Sequence, residues 1–371
     1  MSDCIYVPSD CFAAQAGRFA ALHVDAPTRG YVGNIDVKVD MVDLGGLRFP
    51  ATINEAGGEN AWVCSPLTTY SRYALEETRR VVPPAVARPL TAILGVADRW
   101  LRDAGLDQAV SVNNWLLSTN LYPSPDGIDF RAAADALTAR WPGHAIWFRS
   151  LNFAQHAGWL HSLHAAGFEL IPTRQVYLFP DVARSAAEHQ NLRRDLKLLH
   201  ATNLQQVDGS MFGDADFDAC ATLYGQLYLD KYSRLNPSYT AAFLRDWHRA
   251  GLLDLSGFRD ASGRLCAVIG TFAQGPLITA PIVGYDTALP QSAGLYRLVM
   301  AHVLAYTQER SGTLNLSAGA AHFKRLRGGE PAIEYSAVLS DHLPARTRRA
   351  LRLLRTLTTR LGVPVMQRFK L

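Results

Sequence analysis

The chain has 371 residues, of which 48% are hydrophobic and 19% charged, and its net charge is +4. This composition is typical of a globular protein and excludes a disordered chain and a dedicated nucleic-acid binder. The length exceeds that of an average single domain and predicts two. Residues 1–19 lack the apolar core of a signal peptide, and the chain contains no apolar run of membrane-spanning length.

The first half alternates strands and helices. Apolar residues recur at every second position across 35–42 and 48–53, on either side of Gly45-Gly46, which predicts a β-hairpin. A third short strand is predicted over 61–64. The rest of this half is predicted as helices at 70–80, 86–104, 130–140 and 154–166, and strands at 109–116, 145–148, 168–171 and 175–179.

The second half follows a polar segment, 180–190, which we interpret as a linker. Its predicted helices are a basic one over 191–199 and others at 214–232, 237–251, 292–309 and 320–326. Its predicted strands are 253–258, 265–273, 277–285, 313–316 and 333–339. An arginine-rich helix over 344–360 follows, and its charges are typical of a solvated helix face.

The two halves end in the same order of elements: strand, helix, glycine turn and strand. This order suggests two copies of one α/β unit with a mixed sheet. We therefore expect an N-terminal domain over 1–180, a C-terminal domain over 190–343 and a basic helical tail over 344–371.

The cysteines give no sign of a metal site or of a disulfide framework. Their number is odd, five, and no pair has C-x-x-C spacing. His161 and His164 share a helix face but lack a third ligand in the sequence pattern, so no bound metal is expected. Reduced thiols favour a cytoplasmic protein.

One segment has the character of a phosphate-binding loop. Gln291, Ser292, Ala293, Gly294, Leu295 and Tyr296 lie between a predicted apolar strand and a predicted helix. Backbone N–H groups at a helix N-terminus bind anions, and a glycine lets a phosphate approach the backbone. This segment predicts a site for a phosphate-bearing donor.

The second half resembles the GNAT acyltransferase superfamily, and within it the FemABX and CelD-like branch, whose members contain tandem GNAT-like folds. The resemblance covers about 190–340 and is carried by 229–232, 236–239, 263–269, 284–286, 314–317 and 323–324. In that superfamily the pyrophosphate of acyl-CoA lies on a Q/R-x-x-G-x-G/A loop. Here Gln291 and Gly294 match the loop, whereas Tyr296 stands at its last position.

The resemblance also implies roles for individual residues. Lys324, preceded by Phe323, looks like the Phe-Lys pair of the FemX-like branch, and a cation there would face the donor or the reacting carbonyl. Tyr285 and Asp286, at a strand end, are further catalytic candidates. The residues expected to contact the acceptor are Tyr232, Asn236, Ser317, His322 and Phe323.

The sequence thus predicts two GNAT-like domains in tandem and an N-acyltransferase. The donor would be acyl-CoA or an acyl carrier protein thioester, and the acceptor a small-molecule amine. Two alternatives stay open: a FemX-type transferase that uses aminoacyl-tRNA, and a non-catalytic binding protein on a degenerate GNAT fold.

Overall fold

One mixed sheet of eleven strands runs through the described part of the protein, in the order β1-β2-β3-β4-β11-β5-β10-β9-β8-β7-β6. The computed structural model describes residues 6–55, 59–73, 75–76 and 84–369. The strands are β1 Lys38–Leu44, β2 Leu47–Glu55, β3 Gln108–Val112, β4 Ala145–Asn152, β5 Glu169–Phe179, β6 Gln205–Asp208, β7 Asp254–Arg259, β8 Leu265–Gln274, β9 Leu277–Tyr285, β10 Thr313–Asn315 and β11 Glu330–Leu339.

Helices cover both faces of this sheet and form the chain's C-terminal tail. Their bounds are α1 Ser9–His23, α2 Pro84–Asp103, α3 Phe130–Arg140, α4 Phe153–Ala165, α5 Val182–Glu188, α6 Gln190–Ala201, α7 Asp214–Gly225, α8 Ala241–Arg249, α9 Leu295–Glu309, α10 Ala321–Arg325, α11 Ala345–Leu357 and α12 Val363–Phe369. Wide helical turns extend α7 over Gln226–Tyr232 and α11 over Thr358–Gly362. Within the described ranges no helix is both long and apolar enough to cross a membrane.

Each half contains one parallel strand pair flanked by antiparallel strands. In the first half β3 runs parallel to β4, and in the second β9 runs parallel to β10. All other neighbours in the sheet are antiparallel. The predicted mixed α/β architecture is confirmed.

The two halves exchange their last strands. Strand β11 from the second half lies between β4 and β5 of the first half and pairs antiparallel with both. Strand β5, in turn, pairs with β10 of the second half. The sheet is therefore continuous because each half supplies a strand to the other.

A buried aromatic cluster joins the halves away from these strands. Phe12 and Phe19 of α1 contact Trp115, and the Trp115 ring lies 5.2 Å from Phe272 of β8. Trp247 of α8 packs against Phe19. All five side chains are fully buried. Edge-to-face contacts of this kind add to the hydrophobic stabilisation of a core.

The structure corrects several predicted elements. Residues 61–64 form a turn instead of a strand, and the two strands predicted at 168–171 and 175–179 are one strand, β5, which begins at Glu169. The expected linker, 180–190, contains the short helix α5, which Asp181 caps by accepting a hydrogen bond from the Arg184 N–H. Of the helix predicted over 70–80, residues 70–73 and 75–76 are helical, and the others lie outside the described residues.

Several boundaries also move. The helix expected from 237 begins after Thr240, whose hydroxyl caps α8. The helix expected from 292 begins at Leu295, after a short turn over Gln291–Ala293. Helix α7 begins at Asp214, as predicted, and its N-cap is Gly213.

Candidate functional site

A gap opens in the sheet where β9 and β10 diverge. The two strands pair only from Leu277 to Thr279 on β9, opposite Thr313 to Asn315 on β10. Strand β9 continues to Tyr285 and pairs there with β8 alone. One edge of β9 therefore presents backbone groups without a strand partner, and an extended ligand can hydrogen-bond to such an edge.

The predicted phosphate loop lies directly beyond this gap. Gly294 adopts the left-handed conformation, with φ of 67°, at the N-terminus of the fifteen-residue helix α9. A Cβ atom added there would lie 3.2 Å from the Leu198 side chain. The amides of Leu295, Tyr296 and Arg297 belong to the first turn and have no carbonyl one turn earlier in the helix. Gln291, Ser292 and Ala293 are exposed beside them.

A buried carboxylate holds the helices around this loop. Asp195 of α6 is 1% exposed and accepts hydrogen bonds from two arginines. The Nε–Oδ distances are 2.7 Å from Arg297 on α9 and 2.5 Å from Arg327 after α10. Sequence reasoning missed this cluster. The only signal was an acidic residue within an otherwise basic helix.

Lys324 lies in the segment 316–329, which connects β10 to β11 and which we call the hook. Its ammonium group is buried and donates hydrogen bonds to the carbonyls of Leu316, Ser317 and Ala318, at 2.7, 3.2 and 2.9 Å. Burial, and to a smaller extent the nearby charge of Arg174, lowers the pKa of Lys324 to about 7. The ammonium group is thus hydrogen-bonded to three consecutive carbonyls directly after β10.

Two residues of the hook other than glycine have left-handed backbone conformations. Ser317 and Ala320 have positive φ angles of 57° and 47°. Left-handed backbone in such residues costs free energy and is concentrated at functional sites. The bonds from Lys324 to residues 316–318 supply the compensating stabilisation.

Tyr285 is the last residue of β9 and Asp286 follows it, and their side chains have different neighbours. The Tyr285 hydroxyl is 3.4 Å from the Nζ of Lys231 and is half-buried. Asp286 accepts hydrogen bonds from Arg264, at 2.6 Å, and from the Ala288 N–H. The Arg264 bond lowers the pKa of Asp286, so its carboxylate is ionised at neutral pH and shapes the turn into the loop.

Aromatic side chains line the space between the loop and the hook. The Tyr296 ring lies 4.7 Å from Phe323 and 6.1 Å from Tyr285. The Arg327 guanidinium stacks on Phe323 at 3.3 Å. Tyr232, 41% exposed, stands at the end of the extended α7 turn. Burial raises the pKa of the Tyr296 phenol well above its usual range.

Two of the predicted acceptor residues are placed differently from the others. His322 is exposed on α10. Asn236 is 7% exposed, and its side chain accepts a hydrogen bond from the Trp62 indole and donates to the carbonyls of Tyr228 and Ser233. Asn236 thus connects the halves, whereas Tyr285, Tyr296, Ser317, Phe323 and Lys324 gather near the gap.

A second cluster that sequence reasoning missed lies where the halves meet. Arg149 and Arg174 both stack on Trp62, at 5.1 and 4.7 Å from the ring centroid. Arg174 forms an ion pair with Glu334 of β11, with an Nε–Oε1 distance of 2.7 Å. Arg149 donates to the Val63 carbonyl and the Asn114 side chain. These residues are far apart in sequence, so no local pattern could reveal them.

The described residues contain no group of three His, Cys, Asp or Glu side chains that could hold a metal ion. Cys11, Cys64, Cys220 and Cys266 are free thiols in the structure. Burial raises the pKa of the Cys64 thiol to about 11, so it is not an activated nucleophile.

No family model and no curated protein matches the sequence. Among solved structures, a conserved protein of unknown function from Bacteroides thetaiotaomicron is 11% identical, with a TM-score of 0.50, over 91% of this chain and 93% of that one. The fold of nearly the whole chain is therefore shared with another protein.

Two further solved structures align over part of the chain. The structure of L-PGS from Bacillus licheniformis is 11% identical, with a TM-score of 0.49, over 67% of this chain and 83% of that one. FemX is 9% identical, with a TM-score of 0.44, over 57% of this chain and 78% of that one.

Proposed function

We propose that the protein is an N-acyltransferase that moves an acyl group from a CoA or carrier-protein thioester to an amine. The amine nitrogen attacks the thioester carbonyl, the C–S bond breaks, the thiol leaves, and the amine loses a proton. Such a reaction needs both reactants held in line and stabilisation of the developing oxyanion. It needs no metal and no covalent intermediate on the protein.

The observation that carries this proposal is the gap between β9 and β10, together with the helix N-terminus beyond it. The free edge of β9 can hydrogen-bond to the extended arm of a thioester donor. The amides after Gly294 can bind the donor's phosphates, and they point to the same end of β9. A phosphate-bearing thioester is long enough to use both features at once.

The residues near the gap suggest separate roles. We assign Lys324 to electrostatic stabilisation of the reacting carbonyl, acting through the backbone of the hook that it organises. Tyr285 is the candidate for relaying a proton from the amine or to the thiolate. Tyr232, Ser317 and Phe323 would line the acceptor's path, while Asp286 shapes the loop and Asn236 the joint between halves.

The aminoacyl-tRNA alternative is favoured by two observations. Helix α6 packs beside the start of α9 and carries the exposed cations Arg194 and Lys197. Tyr296 also occupies the loop position at which acyl-CoA enzymes resembling this chain have a small residue. A larger, polyanionic donor would use both the exposed cations and the aromatic wall.

A thermal-shift titration separates these functions. An acyl-CoA donor predicts stabilisation that follows RT ln(1 + [L]/Kd) with CoA and weak stabilisation with tRNA. Stronger stabilisation by tRNA than by CoA supports the tRNA-dependent transferase. The titration includes an acyl carrier protein, and stabilisation by none of the three ligands contradicts both transferases and leaves a binding protein. Mass spectrometry of an amine library incubated with the stabilising donor then tests transfer itself.

A further inference from the structure

The C-terminal helical tail carries an exposed apolar stripe bordered by cations. Leu353, Leu357, Leu361 and Val365 recur at every fourth position and are 46, 47, 62 and 45% exposed. The neighbouring face of α11 is anchored in the protein through Ala350, Leu351 and Leu354. The tail is thus fixed to the body by one face and presents leucines to the solvent on another.

The charge of the chain is concentrated in this tail. From His342 onward the sequence has eight cations and no Asp or Glu, namely Arg346, Arg348, Arg349, Arg352, Arg355, Arg360, Arg368 and Lys370. Removing these eight charges from the net charge of +4 leaves −4 for the rest of the protein. In the described residues, Arg346 and Arg355 have carboxylate partners, Asp103 and Glu169. Arg349, Arg352 and Arg360 are exposed beside the leucines.

A groove lies against the same helix. It has a volume of about 400 Å³ and is lined by His164, Leu170, Arg355, Thr356, Thr359 and Arg360. That volume is within the range of small-ligand sites. Two guanidinium groups and the Thr359 hydroxyl at its wall are hydrogen-bond donors suited to a phosphate oxygen, whereas the Thr356 hydroxyl donates to the Arg352 carbonyl.

We propose that the tail docks on an anionic phospholipid surface. Leucines and arginines on one exposed helical surface match an interface in which apolar side chains enter the acyl region and cations contact headgroup phosphates. The groove beside Arg355 and Arg360 would seat one such headgroup. A second copy of this chain fits less well, because self-association through the stripe would bring two sets of unpaired arginines together.

Vesicle flotation tests the proposal with the full-length protein. Vesicles of pure phosphatidylcholine are compared with vesicles in which about a third of the lipid is phosphatidylglycerol. We expect binding to the anionic vesicles that weakens as salt rises, and at least about tenfold weaker binding to phosphatidylcholine. Equal binding to both, or binding to neither, would overturn the proposal.

Two triple variants separate the apolar and the charged contributions. Leu353→Gln with Leu357→Gln and Leu361→Gln removes the stripe, and Arg349→Gln with Arg352→Gln and Arg360→Gln removes bordering cations. Each should reduce binding to the anionic vesicles at least about tenfold without lowering the melting temperature, since the changed side chains are exposed. The matched controls are the exposed Met211→Gln and the triple Arg48→Gln, Arg99→Gln and Arg131→Gln, which should bind as the original protein does.

Other occupants of the stripe give distinct results. If leucine removal abolishes a dimer seen by light scattering while vesicle binding is unchanged, the surface is an interface between copies. If double-stranded nucleic acid binds more tightly than the anionic vesicles and depends on the arginines alone, the tail is a polyanion site. Either result refutes the lipid proposal.

Discussion

At the residue scale, the proposed donor loop depends on the backbone conformation of Gly294. Its left-handed backbone sets the start of α9, and the space beside it is limited by Leu198. A side chain there would strain the backbone and cover the first-turn amides. The loss should therefore fall on donor binding more than on folding.

We predict that Gly294→Val abolishes detectable donor binding in isothermal titration calorimetry. The matched control is Gly263→Val. Gly263 also has a positive φ, 84°, but has open space around it in the β7–β8 turn. Both variants bear a similar backbone cost of about 1–2 kcal/mol. Equal donor affinity in the two variants would contradict the proposed loop.

The role proposed for Lys324 can be tested by measuring turnover. We predict that Lys324→Met lowers turnover at least about tenfold, equivalent to about 1.4 kcal/mol of barrier. The comparison is Lys38→Met, which removes an exposed cation at the start of β1, away from the gap. Steady-state kinetics with both variants should show a fall in kcat for Lys324→Met alone. Full turnover without Lys324 would remove it from the site.

The pH dependence of stability gives a separate test of Lys324. Its pKa is lowered in the folded protein to about 7 from 10.5, so between these values the unfolded chain binds more protons. Stability should therefore rise with pH in this window, by up to about 1.4 kcal/mol per pH unit. We expect urea unfolding of the original protein to show this rise relative to Lys324→Met. A constant difference between pH 7 and pH 10 would contradict the lowered pKa.

At the element scale, a buried ion pair connects the exchanged strand β11 to β5. Glu334 of β11 is 2% exposed and pairs with Arg174 of β5 across a local irregularity in register. Removing one partner of a buried pair leaves the other charge uncompensated, which costs more than the pair itself contributes.

We predict that Glu334→Gln lowers the free energy of unfolding by about 3 kcal/mol in denaturant titrations. The control is Glu188→Gln, which breaks an exposed pair with Arg184 one helical turn away and should change stability little. A small effect of Glu334→Gln would mean that water or neighbouring side chains compensate Arg174.

Elements differ in how far the sequence predicts them. The hairpin β1–β2 follows from alternation around Gly45-Gly46, and β9, α3 and α9 from their apolar periodicity. The turn over 61–64 has a strand-like composition, because its apolar side chains fill the joint between the halves. Strand β5 continues through Pro172, since pairing with β11 on one side outweighs the local signal for a break.

The residues of the candidate site also differ in how far the sequence predicts them. The loop around Gly294 could be predicted, because a strand, a glycine and a helix are adjacent in sequence. The bonds of Lys324 to carbonyls and the Asp195 cluster could not, because they depend on the angle at which α6, α9 and α10 pack. The stacking of Arg149 and Arg174 on Trp62 depends on contacts across the whole chain.

At the scale of the whole molecule, strand exchange makes the halves mutually dependent. A fragment of residues 190–371 would have β11 without either neighbour and β10 without β5. Exposed strand edges promote aggregation. We therefore propose 180–190 as the boundary between the two copies of the repeated order of elements. We do not expect either copy to fold alone.

We predict that residues 190–371 alone show no cooperative thermal unfolding. The full chain cut by a protease site inserted between His189 and Gln190 should stay assembled and retain its activity, because strand pairing continues to hold the parts together. Size-exclusion chromatography and calorimetry measure both. A cooperative transition and donor binding in the fragment would contradict this dependence.

The place of β11 also has a consequence for biosynthesis. Strands β4 and β5 are complete once residue 179 has been translated, but their common partner ends at Leu339. During the intervening interval the edges of β4 and β5 that face β11 are unpaired in the ribosome-bound chain, or β4 and β5 pair directly and must later separate. Sheets closed by such distant partners form slowly and are exposed to misfolding while they wait. Nascent chains stalled before and after Leu339 should therefore differ sharply in protease resistance, with the first half protected only in the longer chain.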